Sequence, residues 1–374
     1  MSRHLSGILP DFPWDTLAHA KATAAAHPDG LVDLSVGTPV DPTPAIGQRA
    51  LAEAADSPGY PQTTGTPALR AAMVDYLTRR WGAVGLDVDG VLPVLGTKEL
   101  VASLPAQLGL GPGDVVAFPT AAYPTYAVGA LLAGCTPVAA DLPSELGELR
   151  PGLVWLNSPA NPTGAIGSQD DLAAWVAWGR EHDAVIASDE CYGEFGWDAE
   201  PVSVLNPRVC GTGHRGLLAL HSLSKRSNLA GYRAGFVGGD TDLVTELLAI
   251  RKHAGMIMPG PVQAAMVVLL ADTDHVADQR YRYLARRSTI RTALETAGFR
   301  VDHSEGSLYL WVTRDEDCRA SVDFLAQLGI LVAPGDFYGA GCGKHVRVAL
   351  TATDERIDTA ADRLRRQQER TRRT

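Results

Sequence analysis

Short apolar runs punctuate this chain at residues 91–95, 115–118, 153–156, 184–187, 217–220 and 234–237. Each reads as a strand covered on both faces. Helical patterns fall between many of them, at 99–108, 124–133, 169–182 and 242–253. Buried strands separated by helices specify an α/β fold with a mostly parallel sheet. The pattern changes after about Pro261. A long helical region, 262–297, leads into a βαβ-like tail built from 308–312, 321–328, 330–333, 346–350 and 354–366. The 374 residues are enough for two domains. The expected division is a large domain of residues 45–265 and a smaller α+β domain joining residues 1–44 to 266–374.

An excess of 43 acidic over 33 basic residues argues against a nucleic-acid partner, which requires a basic face. The basic cluster 363–373 reads as a solvated last helix. The five cysteines lack any Cys-x-x-Cys spacing, so neither a disulfide framework nor a zinc site is expected. No apolar run is long enough to cross a bilayer, and the first residues lack a signal-peptide core. A soluble, cytoplasmic protein is expected, without metal.

Two glycine-rich strings are decoys. Gly211-Thr-Gly-His-Arg-Gly216 fits a dinucleotide fingerprint but precedes a strand instead of following one. Gly339-Ala-Gly-Cys-Gly-Lys344 lacks the first glycine of a phosphate loop and carries His345 in place of Ser or Thr. Both read as plain loops.

In an open parallel sheet, ligands collect beyond the carboxyl ends of the strands. Polar residues crowd those positions here: Thr97 and Lys98 opening a helix, Asn157 and Asn161, Asp189 to Tyr192, then Ser222, Lys225 and Arg233, with Tyr123 and Tyr126 nearby. Each alone has a dull explanation: a cap, a turn, a core tyrosine. Together they meet the needs of pyridoxal 5'-phosphate. Its aldehyde takes a lysine, its phosphate an arginine and helix-end amides, and its ring nitrogen an aspartate. Lys225 and Arg233 are expected to be buried, with the anionic ligand between them offsetting the cost.

The segments GTKELV, YPTY, NPTG, SDECY, SLSK-x₇-R-x-G and HVRVAL, in this order, make the chain resemble the class I aminotransferase family and its type I pyridoxal-phosphate-dependent transferase fold. The resemblance implies that Lys225 forms the Schiff base and shuttles the substrate proton. It implies that Thr97, the amide of Lys98, Ser222 and Arg233 hold phosphate, and that Asp189 pairs with the ring nitrogen. Asn161 and Tyr192 would bond the ring hydroxyl oxygen, and Tyr123 would stack on the ring. Arg347 would grip the substrate carboxylate, with Gly37 bringing backbone close to it. Tyr60 would reach the phosphate of a neighbouring subunit, implying a homodimer with shared active sites. Cys191 reads as a small buried filler.

Longer segments, among them DLSVGTPVDP, PGYPQTTGTPALR and VAPGDFYG, are similar to the succinyldiaminopimelate transaminases of lysine and diaminopimelate biosynthesis. That implies glutamate as donor and N-succinyl-2-amino-6-oxopimelate as acceptor. Another aminotransferase specificity, a cysteine-conjugate β-lyase and a non-enzymatic regulator are the alternatives. Arg226, Arg251 and Lys252 are candidates for reading the distal end of the substrate.

Overall fold

The computed structural model describes residue 7 and residues 9–373. Its strands are β1 (Val32–Asp33), β2 (Val91–Val94), β3 (Val115–Phe118), β4 (Thr136–Ala139), β5 (Leu153–Asn157), β6 (Val185–Asp189), β7 (Leu217–Ser222) and β8 (Gly235–Gly239), followed by β9 (Arg300–Asp302), β10 (Tyr309–Thr313), β11 (Ile330–Leu331), β12 (Ala333–Pro334) and β13 (His345–Ala349).

The apolar runs of the first part of the chain form a seven-stranded sheet in the order β2-β8-β7-β6-β5-β3-β4. All neighbours are parallel except β8, which runs antiparallel to β2 and β7. Helices cover both faces. Leu100, Leu104, Tyr126 and Leu247 pack on one side, and Met73, Leu77, Trp175 and Met266 on the other. Two-sided burial explains why these strands carry no alternation. β4 was not foreseen. It pairs only with β3, is partly exposed and contains Pro137, which an edge strand tolerates.

A second sheet, β12-β13-β10-β9, is antiparallel, and β1 pairs with β11. Its core joins Leu310, Val312 and Val348 to Val322, Ile357 and Leu364. The 262–297 region is two helices, Gly260–Ala271 and Asp274–Thr296. The break has a local cause: Asp272 is extended, and its carboxylate accepts the amides of Asp274 and His275 at 3.3 and 3.4 Å. The last helix, Asp354–Arg373, corrects one expectation. Arg363 is buried, not solvated, because it donates to the carbonyls of Leu328, Gly329 and Asp29. Residues 211–216 lie in a turn-rich loop, whereas residues 339–344 hold a short 3-10 helix, Ala340–Cys342, that ends in a turn. The five cysteines are free, and among the described residues no helix is long and apolar enough to cross a membrane.

Candidate active site

Two parallel strands deliver the first pair of polar groups. β6 and β7 run past their apolar stretches and end on Asp189 and Ser222. Asp189 is buried, and one carboxylate oxygen accepts the Tyr126 hydroxyl at 3.0 Å. The other accepts the amide of Cys191 at 3.2 Å. No cation pairs with it among the described residues, and burial raises its pKa. Tyr126 is held by stacking on Trp155, with ring centres 5.1 Å apart. Tyr123 meets Tyr126 edge-on, and burial pushes its hydroxyl up to about 12.

The next residue, Glu190, is also buried. It accepts the amide of Val204 at 2.9 Å, and its other oxygen is 3.4 Å from Nε2 of the buried His221. Burial raises the Glu190 carboxyl to about 7 and lowers His221 to about 3, so at intermediate pH both are neutral.

An anion cradle lies beside them. Gly96, at φ +78°, precedes the helix Thr97–Gln107. A side chain on Gly96 would overlap the Arg233 guanidinium, so glycine lets that cation lie against the helix N-terminus. Thr97 Oγ1 is 3.1 Å from Cys191 Sγ. Ser222 caps the short helix Leu223–Arg226 by accepting the Ser224 amide at 3.2 Å. Arg233 itself sits in the left-handed region at φ +54°, where a residue other than glycine is uncommon and strained.

Lys225 projects from that short helix, and its ammonium donates to the carbonyl of Gly37. Any side chain on Gly37 would collide with the Tyr309 hydroxyl. Tyr309 Oη in turn lies 2.9 Å from Tyr192 Oη. Burial, then the neighbouring Tyr309, raises the Tyr192 pKa well above that of a free phenol.

Arg347 comes from β13 and is buried. It donates to the Asn161 side-chain oxygen and to the Ser35 carbonyl, each at 2.7 Å. Its guanidinium stands 4.0 Å over the Tyr309 ring and 5.0 Å over Tyr338. Its Nε is buried without a partner, a donor left over for an incoming anion.

Several placements differ from expectation. Lys225 is only half-buried and Arg233 is exposed in the single chain. Both stand at the open rim of the strand ends, where water shares their solvation. Lys98 is exposed, with its ammonium 5.9 Å from the Tyr123 ring. Tyr60 is 98% exposed in the single chain. Arg251 and Arg226 are not free to read a substrate. Arg251 makes a two-pronged pair with Glu99 at 3.1 and 2.7 Å. Arg226 is tied to Glu194 and the Leu269 carbonyl. Lys252 is exposed. Sequence reading missed Tyr309, because YLWVT is indistinguishable from a core strand, and did not assign Tyr126 to Asp189.

These groups fit pyridoxal phosphate on the chain's own evidence. A buried carboxyl lacks a cation, a glycine cradle backs an arginine at a helix N-terminus, and an amine points inward from the rim. With an α/β sheet of this topology they define a pyridoxal-phosphate enzyme of fold type I. The sequence profile of aminotransferases of class I and II matches residues 29–364, and the chain belongs to that family. It is 60% identical over 360 residues to a probable aminotransferase of Mycobacterium tuberculosis, covering 96% of this chain and 86% of that protein. It is 59% identical over 356 residues to the 4-dedimethylamino-4-oxo-anhydrotetracycline transaminase OxyQ of Streptomyces rimosus, covering 95% and 99%. The structure of a probable N-succinyldiaminopimelate aminotransferase from Thermus thermophilus superposes with a TM-score of 0.85 at 27% identity, covering 95% and 100%.

Proposed function

We propose that this aminotransferase carries the amino group of glutamate to N-succinyl-2-amino-6-oxopimelate, as a cytoplasmic homodimer. Arg347 carries the amino-acid part of the reading: a buried, pre-oriented guanidinium with an unpartnered Nε suits an α-carboxylate. Likeness to the Thermus thermophilus structure supports the acceptor. The free cysteines accord with a reducing compartment.

Bound pyridoxal phosphate supplies an aldehyde for amines and a ring that accepts an electron pair. The chain supplies the rest. Lys225 would attach the cofactor through its amine and afterwards, as a free amine, would take the proton from the substrate α-carbon and deliver it to the carbon on the far side of the intervening nitrogen. Asp189, whose pKa burial raises, would place its carboxylate opposite the ring nitrogen and keep a proton there. Thr97, the Lys98 amide, Ser222 and Arg233 hold the phosphate against the helix N-terminus. Asn161 spends its oxygen on Arg347, leaving its NH₂ for the ring oxygen, which Tyr192 also bonds. Tyr123 covers one ring face, and Gly37 admits the substrate beside its backbone. Tyr60 completes the phosphate site of the partner subunit.

A second reading is favoured by the 59% identity with OxyQ across nearly its whole length: the acceptor is a ketone on a fused ring system. With glutamate as donor, the succinylated oxo acid, a tetracyclic ketone and simple 2-oxo acids are offered in parallel, and pyruvate release from a thioether amino acid is followed beside them. Preferred turnover of the succinylated acid supports the first reading. Preference for the tetracyclic ketone replaces it with the second, and pyruvate release without amino transfer replaces both with a lyase.

A further inference from the structure

Tyr309 is placed where three separate parts of the chain meet. It is carried by β10, in the antiparallel sheet, next to the strand that bears Arg347. Its ring lies 4.0 Å beneath the Arg347 guanidinium. Its hydroxyl is 2.9 Å from that of Tyr192, which follows β6 of the large sheet. The same hydroxyl abuts Gly37, whose carbonyl receives the Lys225 ammonium. It is 3% exposed, so water does not substitute for any of these contacts.

We propose that Tyr309 is a positioning residue with two separable parts: its hydroxyl orients and polarises Tyr192, and its ring seats Arg347. The proposal rests on the site reading given above. Hydrogen-bond direction follows from donor counting. A phenol has one proton. When Tyr192 spends its proton on the cofactor's ring oxygen, the bond between the two phenols must be donated by Tyr309. Two donors in series polarise each other, so Tyr192 becomes the stronger donor. The stronger donor favours the more negative, deprotonated form of the bound cofactor. The ring acts differently: the guanidinium rests on its π face, which restrains Arg347 without using a hydrogen bond.

The two parts are tested by two variants of the cofactor-loaded enzyme. Tyr309→Phe removes only the hydroxyl. The pH midpoint of the cofactor's visible absorbance change should rise by roughly 0.2 to 0.6 of a unit, the fraction of a charged hydrogen bond that polarisation supplies. KM for glutamate should stay within about twofold, because the ring remains beneath Arg347. Tyr309→Leu removes the ring as well, and KM should rise roughly tenfold as the guanidinium loses its seat. The same Tyr309→Phe change made on a Tyr192→Phe background should leave the midpoint where Tyr192→Phe alone puts it, because the effect travels through Tyr192. An unmoved midpoint in Tyr309→Phe, or an equal shift in both backgrounds, overturns the hydroxyl's role. An unchanged KM in Tyr309→Leu overturns the ring's. Lys225→Ala separates these failures from failure of the site reading: a normal visible band in that variant defeats the reading itself, whereas its loss leaves the Tyr309 results to decide the proposal alone.

Discussion

Arg347 and Asn161 are joined directly, guanidinium N–H to side-chain oxygen at 2.7 Å. The bond fixes which way the asparagine amide faces and holds the arginine before any substrate arrives. Arg347→Lys keeps the charge and loses the planar fork. KM should rise about 10- to 100-fold for the amino donor and the oxo acceptor alike, the worth of a charged hydrogen bond. Steady-state kinetics with each substrate varied in turn check this. An effect on only one of them would remove Arg347 from the shared carboxylate position.

In the role proposed for it, Asp189 supplies charge more than affinity. Asp189→Asn retains a group able to meet the Tyr126 hydroxyl and the Cys191 amide. The variant should still take up cofactor, while kcat falls by at least about 100-fold through loss of the charge facing the ring nitrogen. Absorbance of the purified protein together with single-turnover rates separates the two effects.

Tyr60 is 98% exposed, and its proposed task lies across a subunit boundary. Lys225→Ala and Tyr60→Ala should each be poorly active alone. Mixed under conditions that exchange subunits, they form hybrids in which one of two sites has both residues intact. Activity should return toward about a quarter of the wild-type level per chain for statistical exchange between equal amounts. No recovery despite proven exchange would place Tyr60 outside the site.

Glu190 gives a pH signature. Its folded-state pKa of about 7 exceeds the ordinary 4.5, so the folded protein holds the proton longer than the unfolded chain. Stability from this group is present below pH 4.5 and is lost as pH rises through about 7, a loss of about 3 kcal/mol. His221 works in the opposite sense, costing stability as pH falls from 6.5 toward 3. Glu190→Gln can still accept the Val204 amide and removes only the first effect. Denaturant midpoints of both proteins at pH 5 and pH 8 should show the variant gaining on the wild type at the higher pH. Parallel curves would contradict the burial cost.

Much of the large sheet was legible because burial on both faces leaves unbroken apolar runs. The β4 edge was not, since Pro137 and partial exposure erase that signal. The break at Asp272 was hidden inside helical periodicity, because a capping aspartate looks like any other surface residue. At the site, chemically distinctive residues such as Lys225, Asp189 and Arg347 could be picked out by type and position. Tyr309 could not, because its partners lie 117 residues away at Tyr192 and, through a backbone atom, at Gly37. Exposure of Arg233 was also beyond reach, since depth at the rim of a sheet depends on how neighbouring loops fall.

The reversed strand β8 has a consequence for how the site is assembled. Ser222 stands opposite Gly235 in the ladder with β7, so the chain leaves the sheet and re-enters it at one rung. The amine of Lys225 and the guanidinium of Arg233 both ride on that single excursion. They form a cassette clamped at its two ends, and the reach between them is dictated by a rung of backbone pairing. A one-residue deletion inside the cassette would disturb both cations at once, whereas changes of side chain at Gly231 or Tyr232 leave the clamp itself intact.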